Sequence, residues 1–356
     1  MMFAQVHCPE TLAPEELDAY LENGWFRMGQ TIFTTNFLNF KNNFYSAIWL
    51  RITLSQYQGH KTLEKLAKRN ARFRNEVGKA SIDPVKEKLY STYKQNLSFE
   101  TSSSLRHLMH GKTFNALFDT REICIYDDDK LIAVGYFDLG ASSAAGITCF
   151  YDPSYKKFSL GRYLIYLKIE YCKKLNLEYF YPGYFVPGYP FFDYKLTIGS
   201  AFQQYLQVKS GTWLPIHTFT DKEIPLQYMR EKLSELQSAL MQVDVESKIL
   251  KYEFFDANLV PELQGAELFD FPLFLIADRL SIEIPDFVVI YDVCEQRYHL
   301  LRCKGIWKTN SAVFVDTYAS HVLKVGEDLF SSENAEDLCA RILLERKYTA
   351  SRTGTR

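Results

Sequence analysis

Three stretches of the sequence gather side chains that could do chemistry. In the first, Lys156, Ser159 and Gly161 make a K-x-x-S-x-G approach with Lys157 beside it, so small residues leave backbone N–H groups facing outward at a helix start. Such a turn suits a phosphate, and it equally suits an ordinary capped helix with two solvated lysines. The second is KTLEKLAKRNARFRN at 61–75, where Lys61, Lys65, Lys68, Arg69, Arg72 and Arg74 crowd a predicted helix built round Leu63, Leu66 and Ala67. These cations can form a solvated face, or can meet nucleic-acid phosphates by charge more than by base reading. In the third, RHLMH sets His107 and His110 three apart on a helix. That spacing can ligate a metal, but with no third ligand near in sequence, surface or satisfied core histidines are the better reading. The seven cysteines are scattered without a C-x-x-C pair, which points to reduced thiols rather than a disulfide framework or a zinc knuckle.

Elements have to position these groups. Ser159 is a suitable N-cap for a helix from Leu160, whose apolar stripe is Leu160, Leu164, Leu167, Tyr171 and Leu175, with Lys168, Lys173 and Lys174 off it. The aromatic run 177–185 reads as a buried strand that bulges or opens at Pro182-Gly183, a break that commonly faces a ligand. Upstream, 122–126, 131–138 and 147–151 read as strands, the first two joined by the Asp127-Asp128-Asp129 turn. An antiparallel run feeding a helix and a further strand predicts an α+β fold. Earlier still, 14–23 reads as a helix and 30–40 and 45–54 as β-rich runs. Another helix at 83–96 opens at Asp83-Pro84 and precedes a polar hinge at 99–104. Later, 226–243 is an amphipathic helix with Met229, Leu233, Leu236 and Leu240 on one face. A hairpin is expected at 287–293 and 298–304, then a last helix at 335–346 and a polar, frayed tail. Hydrophobic content of 47% against 24% charged residues is that of a globular chain, and no apolar run approaches a membrane span. The N-terminal MMFAQVHCPET lacks the basic and long apolar regions of a signal peptide, so a cytoplasmic protein is expected. Net charge is only −2, so any contact with RNA must use a local basic patch.

Taken together, Y-D-P-x-Y-x-x-x-S-L-G, I-E-Y-C-K-K-L-x-L-x-Y and Y-x-G-Y-F-V-x-G-x-P-x-x-x-Y-K resemble the C-terminal domain of the aminoacyl-tRNA–protein transferases, which include arginyltransferases and the bacterial leucyltransferases of the N-degron pathway. Gly24-Trp25-Phe26-Arg27-Met28-Gly29, Trp49-Leu50-Arg51 and Lys68-Arg69-Asn70 resemble the family's N-terminal domain in the right order, so the resemblance covers about 14–215. The K-x-x-S-x-G turn is similar to a degenerate R-x-x-G-x-G/A loop, with which N-acetyltransferase (GNAT) folds hold the pyrophosphate of coenzyme A. The resemblance implies a GNAT-like mixed sheet with flanking helices. It also divides the chain into an N-terminal unit at 1–80 and a transferase domain at 81–216. Residues 217–356 lie beyond it and are expected to form a C-terminal α/β extension of unread role.

What the resemblance implies for function is transfer of an amino acid, arginine favoured and leucine possible, from tRNA to the α-amine of proteins beginning with Asp or Glu. Aminoacyl-tRNA and acidic N-termini are then the partners. Tyr181, Tyr184, Tyr194 and Lys195 match the family's Y-x-G-Y and Y-K elements and are the catalytic candidates; a tyrosine could protonate the leaving ribose oxygen, and Lys195 could hold a phosphate or carboxylate. Arg27, Arg51 and Arg69 are candidates for gripping the acidic first residue, with Asn70, Asp152, Lys156, Ser159 and Gly161 completing the substrate-binding set. The family's cysteine group is replaced here by FTTNFLNFKNN, with Phe37 and Phe40 about where thiols would stand, so neither a metal nor an iron–sulfur cluster is expected. Pro182 and Phe192 also depart from the family pattern, and F-x-P-x-E after Y-K is missing. Two rival readings remain: an acetyl-CoA-dependent N-acyltransferase, and a non-catalytic relative that binds tRNA or peptide.

Overall fold

The structure, a computed structural model, describes residues 3–57, 61–97, 101–113, 116–277, 287–308, 319 and 321–353. The chain opens with β1 (Gln5–His7), α1 (Pro14–Glu22), β2 (Phe26–Met28), β3 (Thr31–Thr34), the hairpin β4 (Phe37–Phe40) and β5 (Asn43–Ser46), and β6 (Ile48–Thr53). There follow α2 (Lys61–Asn70), β7 (Arg74–Lys79), α3 (Pro84–Lys94), α4 (Leu105–His110), β8 (Asp119–Asp127), β9 (Lys130–Leu139) and β10 (Ser143–Tyr151). Next come α5 (Leu160–Lys174), β11 (Tyr179–Phe185), β12 (Gln203–Gln207) and β13 (Thr212–Pro215). The last part holds α6 (Pro225–Gln242), β14 (Lys248–Lys251), β15 (Leu273–Ile276), β16 (Phe287–Asp292), β17 (Arg297–Lys308), β18 (His321–Ser332) and α7 (Ala335–Thr353). The fold is α+β, as expected. Residues 99–100 of the polar hinge and 354–356 of the tail lie outside the described residues.

One eight-stranded sheet, in the order β13-β12-β6-β11-β10-β9-β8-β7, organises the first part of the chain. Strands β8, β9 and β10 run as an antiparallel meander, α5 crosses over, and β11 returns parallel to β10. Both faces of β9 are covered. Ala133 and Phe137 pack with α2 and α5, while Val134 and Tyr136 pack with α3 and α4, because successive side chains of a strand point to opposite faces. Strands β6 and β7 both belong to this sheet, so it draws on 1–80 as well as on 81–216, while β1-β3-β2 and β4-β5 form small sheets of their own.

The break expected at Pro182-Gly183 is present. Strands β10 and β11 pair only from Ser143↔Tyr179 to Ala145↔Tyr181. Beyond that β10 shifts register between Gly146 and Thr148, and β11 shifts between Phe180 and Gly183, where Pro182 has no N–H to give. The two strands part there.

Local expectations need correction at three places. The buried face of α5 is Leu160, Tyr163, Leu164, Ile165, Lys168, Ile169 and Cys172, whereas Leu175 is exposed. Lys168 belongs inside because it lies one turn after Leu164 and its ammonium finds carbonyls to bond. Ser159 makes no side-chain cap: it closes the 3-10 turn Pro153–Phe158 in a left-handed conformation, φ 53°, not the extended one an N-cap requires. The basic run does not stay helical, since α2 ends at Asn70 and Arg74 opens β7.

The remainder forms a second core. Antiparallel β14-β15-β16-β17-β18 packs against α6 and α7, and Met229, Leu233, Leu236 and Leu240 of α6 are buried as expected. This core includes Phe3 and Phe37 from the start of the chain, and Ser46 Oγ accepts from the Leu226 N–H at 3.0 Å. Helix α7 continues to Thr353, past the expected end at 346. No helix among the described residues is long and apolar enough to cross a membrane.

Candidate functional site

Where β10 and β11 part, a cleft of about 420 Å³ opens. Its walls come from Thr148 and Cys149 of β10, Phe180 and Pro182 of β11, Arg162 and Lys168 of α5, Tyr90 and Tyr93 of α3, and the aromatic turn that carries Phe192, Tyr194 and Lys195. Since α3 and α5 lie on opposite faces of the sheet, the cleft passes between the two faces.

Lys195 sits on the 3-10 turn Pro190–Thr197, which is tied down by Gln203 Nε2 donating to the Lys195 carbonyl at 3.0 Å and Thr197 Oγ1 donating to the Tyr194 carbonyl at 2.6 Å. Its ammonium donates to the Tyr184 carbonyl at 2.8 Å and lies 5.2 and 5.1 Å from the ring centres of Tyr184 and Phe192. Burial among these rings disfavours the charged form and brings the lysine down to about 7, against a smaller opposing influence from Cys149. Burial likewise pushes Tyr184 up to about 12 and Tyr194 higher, so both phenols stay protonated near neutrality. A Cβ at Gly183, φ 87°, would stand 3.1 Å from the Lys195 ammonium, so this glycine serves both the backbone and the lysine.

Lys168 is 1% exposed and has no carboxylate against it among the described residues. Its ammonium donates to the Tyr136 carbonyl at 2.7 Å and the Thr148 carbonyl at 3.0 Å, and lies 3.3 Å from Cys149 Sγ. A side chain thus bonds one carbonyl of β9 and one of β10 beside the register shift between Gly146 and Thr148.

A second cleft, about 660 Å³, adjoins the first through Arg162. Its lining includes Lys65 and Arg69 of α2, Ser159, Thr197 at the end of the aromatic turn and Ser200 after it. Three cations converge on it, and the Arg69 guanidinium rests 5.6 Å from the Phe158 ring centre.

The sequence-derived candidates divide. Tyr194 and Lys195 line the first cleft, whereas Tyr184 is outside its lining, its carbonyl accepting from Lys195 and its ring packing against Trp49 and Phe192. Gly161 lines it as well, while Arg69 and Ser159 line the second. Tyr181 does not join them: it is 2% exposed on the face opposite α5, packed with Phe26, Trp49 and Trp213. Arg51 is on that face too, its Nε donating to Gln204 Oε1 at 2.7 Å and its guanidinium held between the Tyr179 and Trp213 rings. Arg27 is consumed by a buried ion pair with Asp138 at 2.8 Å and by bonds to Thr120, Gly29 and the Met109 carbonyl. Asn70, fully buried, ties α2 to the Phe158 carbonyl. Asp152 pairs with Lys130 at 2.7 Å and caps its own turn; partial burial would raise its carboxyl, but hydrogen bonds from Lys130 and Ser154 hold it below the usual range. Lys156 is exposed and lines neither cleft. Among the described residues no group of three or more His, Cys, Asp or Glu side chains could hold a metal, and Phe37 and Phe40 pack against other aromatic rings.

Arg162, Lys168, Cys149 and Tyr93 are site residues that sequence reasoning missed. Two had a signal: Arg162 directly follows the S-x-G turn, and Lys168 lies four residues after Leu164. Cys149 and Tyr93 had none, since their place depends on how the strands part.

Comparison with known proteins adds to this geometry. Residues 85–205 match the family described as "Arginine-tRNA-protein transferase, C terminus". The chain is 30% identical over 193 residues to the aspartate/glutamate leucyltransferase of Leptospira interrogans, covering 52% of this chain and 73% of that one. It is 25% identical over 179 residues to arginyl-tRNA–protein transferase 1 of Saccharomyces cerevisiae, covering 47% of this chain and 34% of the other. Among solved structures, FemX aligns over 51% of this chain and 64% of its own at 8% identity, with a TM-score of 0.35.

Proposed function

The chain belongs to the aminoacyl-tRNA–protein transferases, enzymes that move an amino acid from tRNA to a protein, and from that premise we propose that it transfers an apolar residue of the leucine class to the α-amine of proteins beginning with Asp or Glu. With charged tRNA as its donor, it works in the cytoplasm, and residues 217–356 are an appended module. One observation carries the choice of donor. No Asp or Glu is among the described lining residues of the 420 Å³ cleft, while Arg162, Lys168 and Lys195 are. A guanidinium there would meet cations and no counter-ion, at a desolvation cost with nothing to offset it. A leucine side chain would meet Tyr93, Leu97, Ile147, Ile165 and Phe180. Leucine is therefore put ahead of the arginine that the sequence resemblance favoured.

The second cleft, with Lys65, Arg69 and Arg162, offers positive charge to the phosphates of the tRNA 3′ end, next to the cleft that takes its ester. In the reaction the neutral α-amine attacks the ester carbonyl, a C–N bond forms, the C–O bond to the ribose breaks, and the amine proton ends on the ribose oxygen. Lys195, part neutral near pH 7, is suited to take the proton from the incoming α-ammonium, whose own pKa is near 8. Tyr194, a phenol protonated near neutrality, is suited to relay the amine's proton, giving its own to the leaving oxygen and taking the one the amine loses as the C–N bond forms. The scheme calls on no cofactor beyond the activated ester.

Mass spectrometry of peptides beginning with Asp, Glu or Ala, incubated with the protein and charged total tRNA, tests the reading. The expected result is a gain of one leucine on the acidic peptides alone. A gain of arginine would refute the donor assignment, and a gain only with acetyl-CoA would replace the reading with the coenzyme-dependent one.

A further inference from the structure

The long β17–β18 ribbon of the appended module carries a surface that the transfer reaction does not use. Lys304 and Lys324 are directly opposite in the ladder, and both are exposed. Among the described residues no carboxylate pairs with either; the nearby Glu327 is taken by Arg302 and Asp328 by His299. On β18, Val322 lies two residues from Lys324 and so on the same face, and its cross-strand partner is Trp307, 54% exposed. One face of the ribbon therefore presents two unpaired ammonium groups beside a solvated indole. Like charges directly opposite in a ladder destabilise it, and an indole left in water forgoes its burial. A polyanion with flat bases relieves both, by neutralising the lysines and stacking on the ring.

We propose that this face binds RNA, and, on the reading that aminoacyl-tRNA is the donor, that it holds the tRNA body away from the acceptor end. The lysines meet phosphates and Trp307 takes an unpaired base. Charge complementarity selects RNA, because Glu327 and Asp328 of β18 are already paired, while Lys304 and Lys324 have no carboxylate partner among the described residues.

The test compares two donors carrying the same amino acid: full-length tRNA and a minihelix containing only the acceptor arm. For Lys304→Glu/Lys324→Glu and for Trp307→Ala, KM for the full-length donor is expected to rise about tenfold with kcat unchanged, and minihelix kinetics to stay as in the wild type. The salt dependence of tRNA binding should flatten by about two units of slope in the double variant. The single Lys304→Glu variant separates binding from folding: it places a Glu opposite Lys324, so the melting temperature should hold or rise while tRNA binding weakens. Unchanged full-length kinetics, an equal loss on both donors, or an effect confined to KM for an acidic peptide would each overturn the proposal. Should the wild type transfer nothing, fluorescence anisotropy with uncharged tRNA still decides it: wild-type binding lost in the double variant supports the RNA face although the transferase reading fails, and binding unchanged by the variant overturns it.

Discussion

Lys195 shows how a side chain's chemistry follows from what surrounds it. Its ammonium has one strong acceptor, the Tyr184 carbonyl, and otherwise ring faces, so the charged form loses solvation that the site does not return. If its neutral form is the base, single-turnover transfer should rise with pH through about 7, and Lys195→Met should lower the rate by roughly 10²- to 10⁴-fold and remove that inflection. A rate that is flat from pH 6 to 8 would end the assignment. Stability should carry the same signature. The unfolded chain keeps this lysine protonated up to about 10.4, whereas the folded chain releases its proton from about 7. Between those values the unfolded state binds more protons, so stability rises with pH there. Urea titrations at pH 7 and 9.5 should show the wild type gaining on Lys195→Met. The sequence made Tyr194 and Lys195 legible as a pair. It could not assign Tyr181, because strand alternation says only that 180 and 181 face opposite ways, and not which of the two meets the cleft.

Strand β10, its bulge and α5 act together. The Lys168 stem crosses β9 at Gly135, where an added Cβ would stand 2.9 Å from Lys168 Cε and 3.3 Å from Leu164 Cβ. Gly135→Ala should therefore displace Lys168 and free the Thr148 carbonyl, costing about 1–3 kcal/mol of stability and lowering transfer activity as well. Denaturant titration and steady-state assays of the variant check the two effects, and an unperturbed melt would argue against the steric account. The β4–β5 hairpin supports the site from the other side: the Phe40 ring lies 4.9 Å from Tyr189 and 6.2 Å from Phe192, on the turn that holds Lys195. Of the two positions where the family resemblance led one to look for thiols, Phe40 buttresses that aromatic turn and Phe37 packs with Phe3 in the second core.

Across the whole molecule, the appended module is joined to the catalytic part through the start of the chain. Phe3 packs edge-on to Phe37 and Phe271, each at 5.1 Å between ring centres, and the Phe3 and Ala4 N–H groups both donate to the Asp270 carboxylate. Burial raises Asp270 to about 7, with the two backbone hydrogen bonds opposing it. Its folded pKa exceeds its unfolded value, so the stability it contributes is fully present below about 4 and is lost as pH rises through about 7. Asp270→Asn should abolish this slope, and a comparison of melts at pH 5 and 7.5 should show the wild type falling relative to the variant. Equal slopes would mean that the carboxyl titrates as if exposed.

The α+β class, most elements of the chain, the Pro182-Gly183 opening and the family resemblance could all be read from the sequence. They rest on local signals: period-2 and period-3.6 patterns, proline's missing N–H, and runs of matched residues. Tertiary structure alone decided that Arg27 and Asn70 are consumed by internal bonds, that Arg51 and Tyr181 face away from the cleft, and that Arg162 joins two clefts. The physical reason is that a side chain's availability depends on partners far along the chain: Asp138 is 111 residues from Arg27, and Gln204 is 153 from Arg51. No local pattern encodes those pairings.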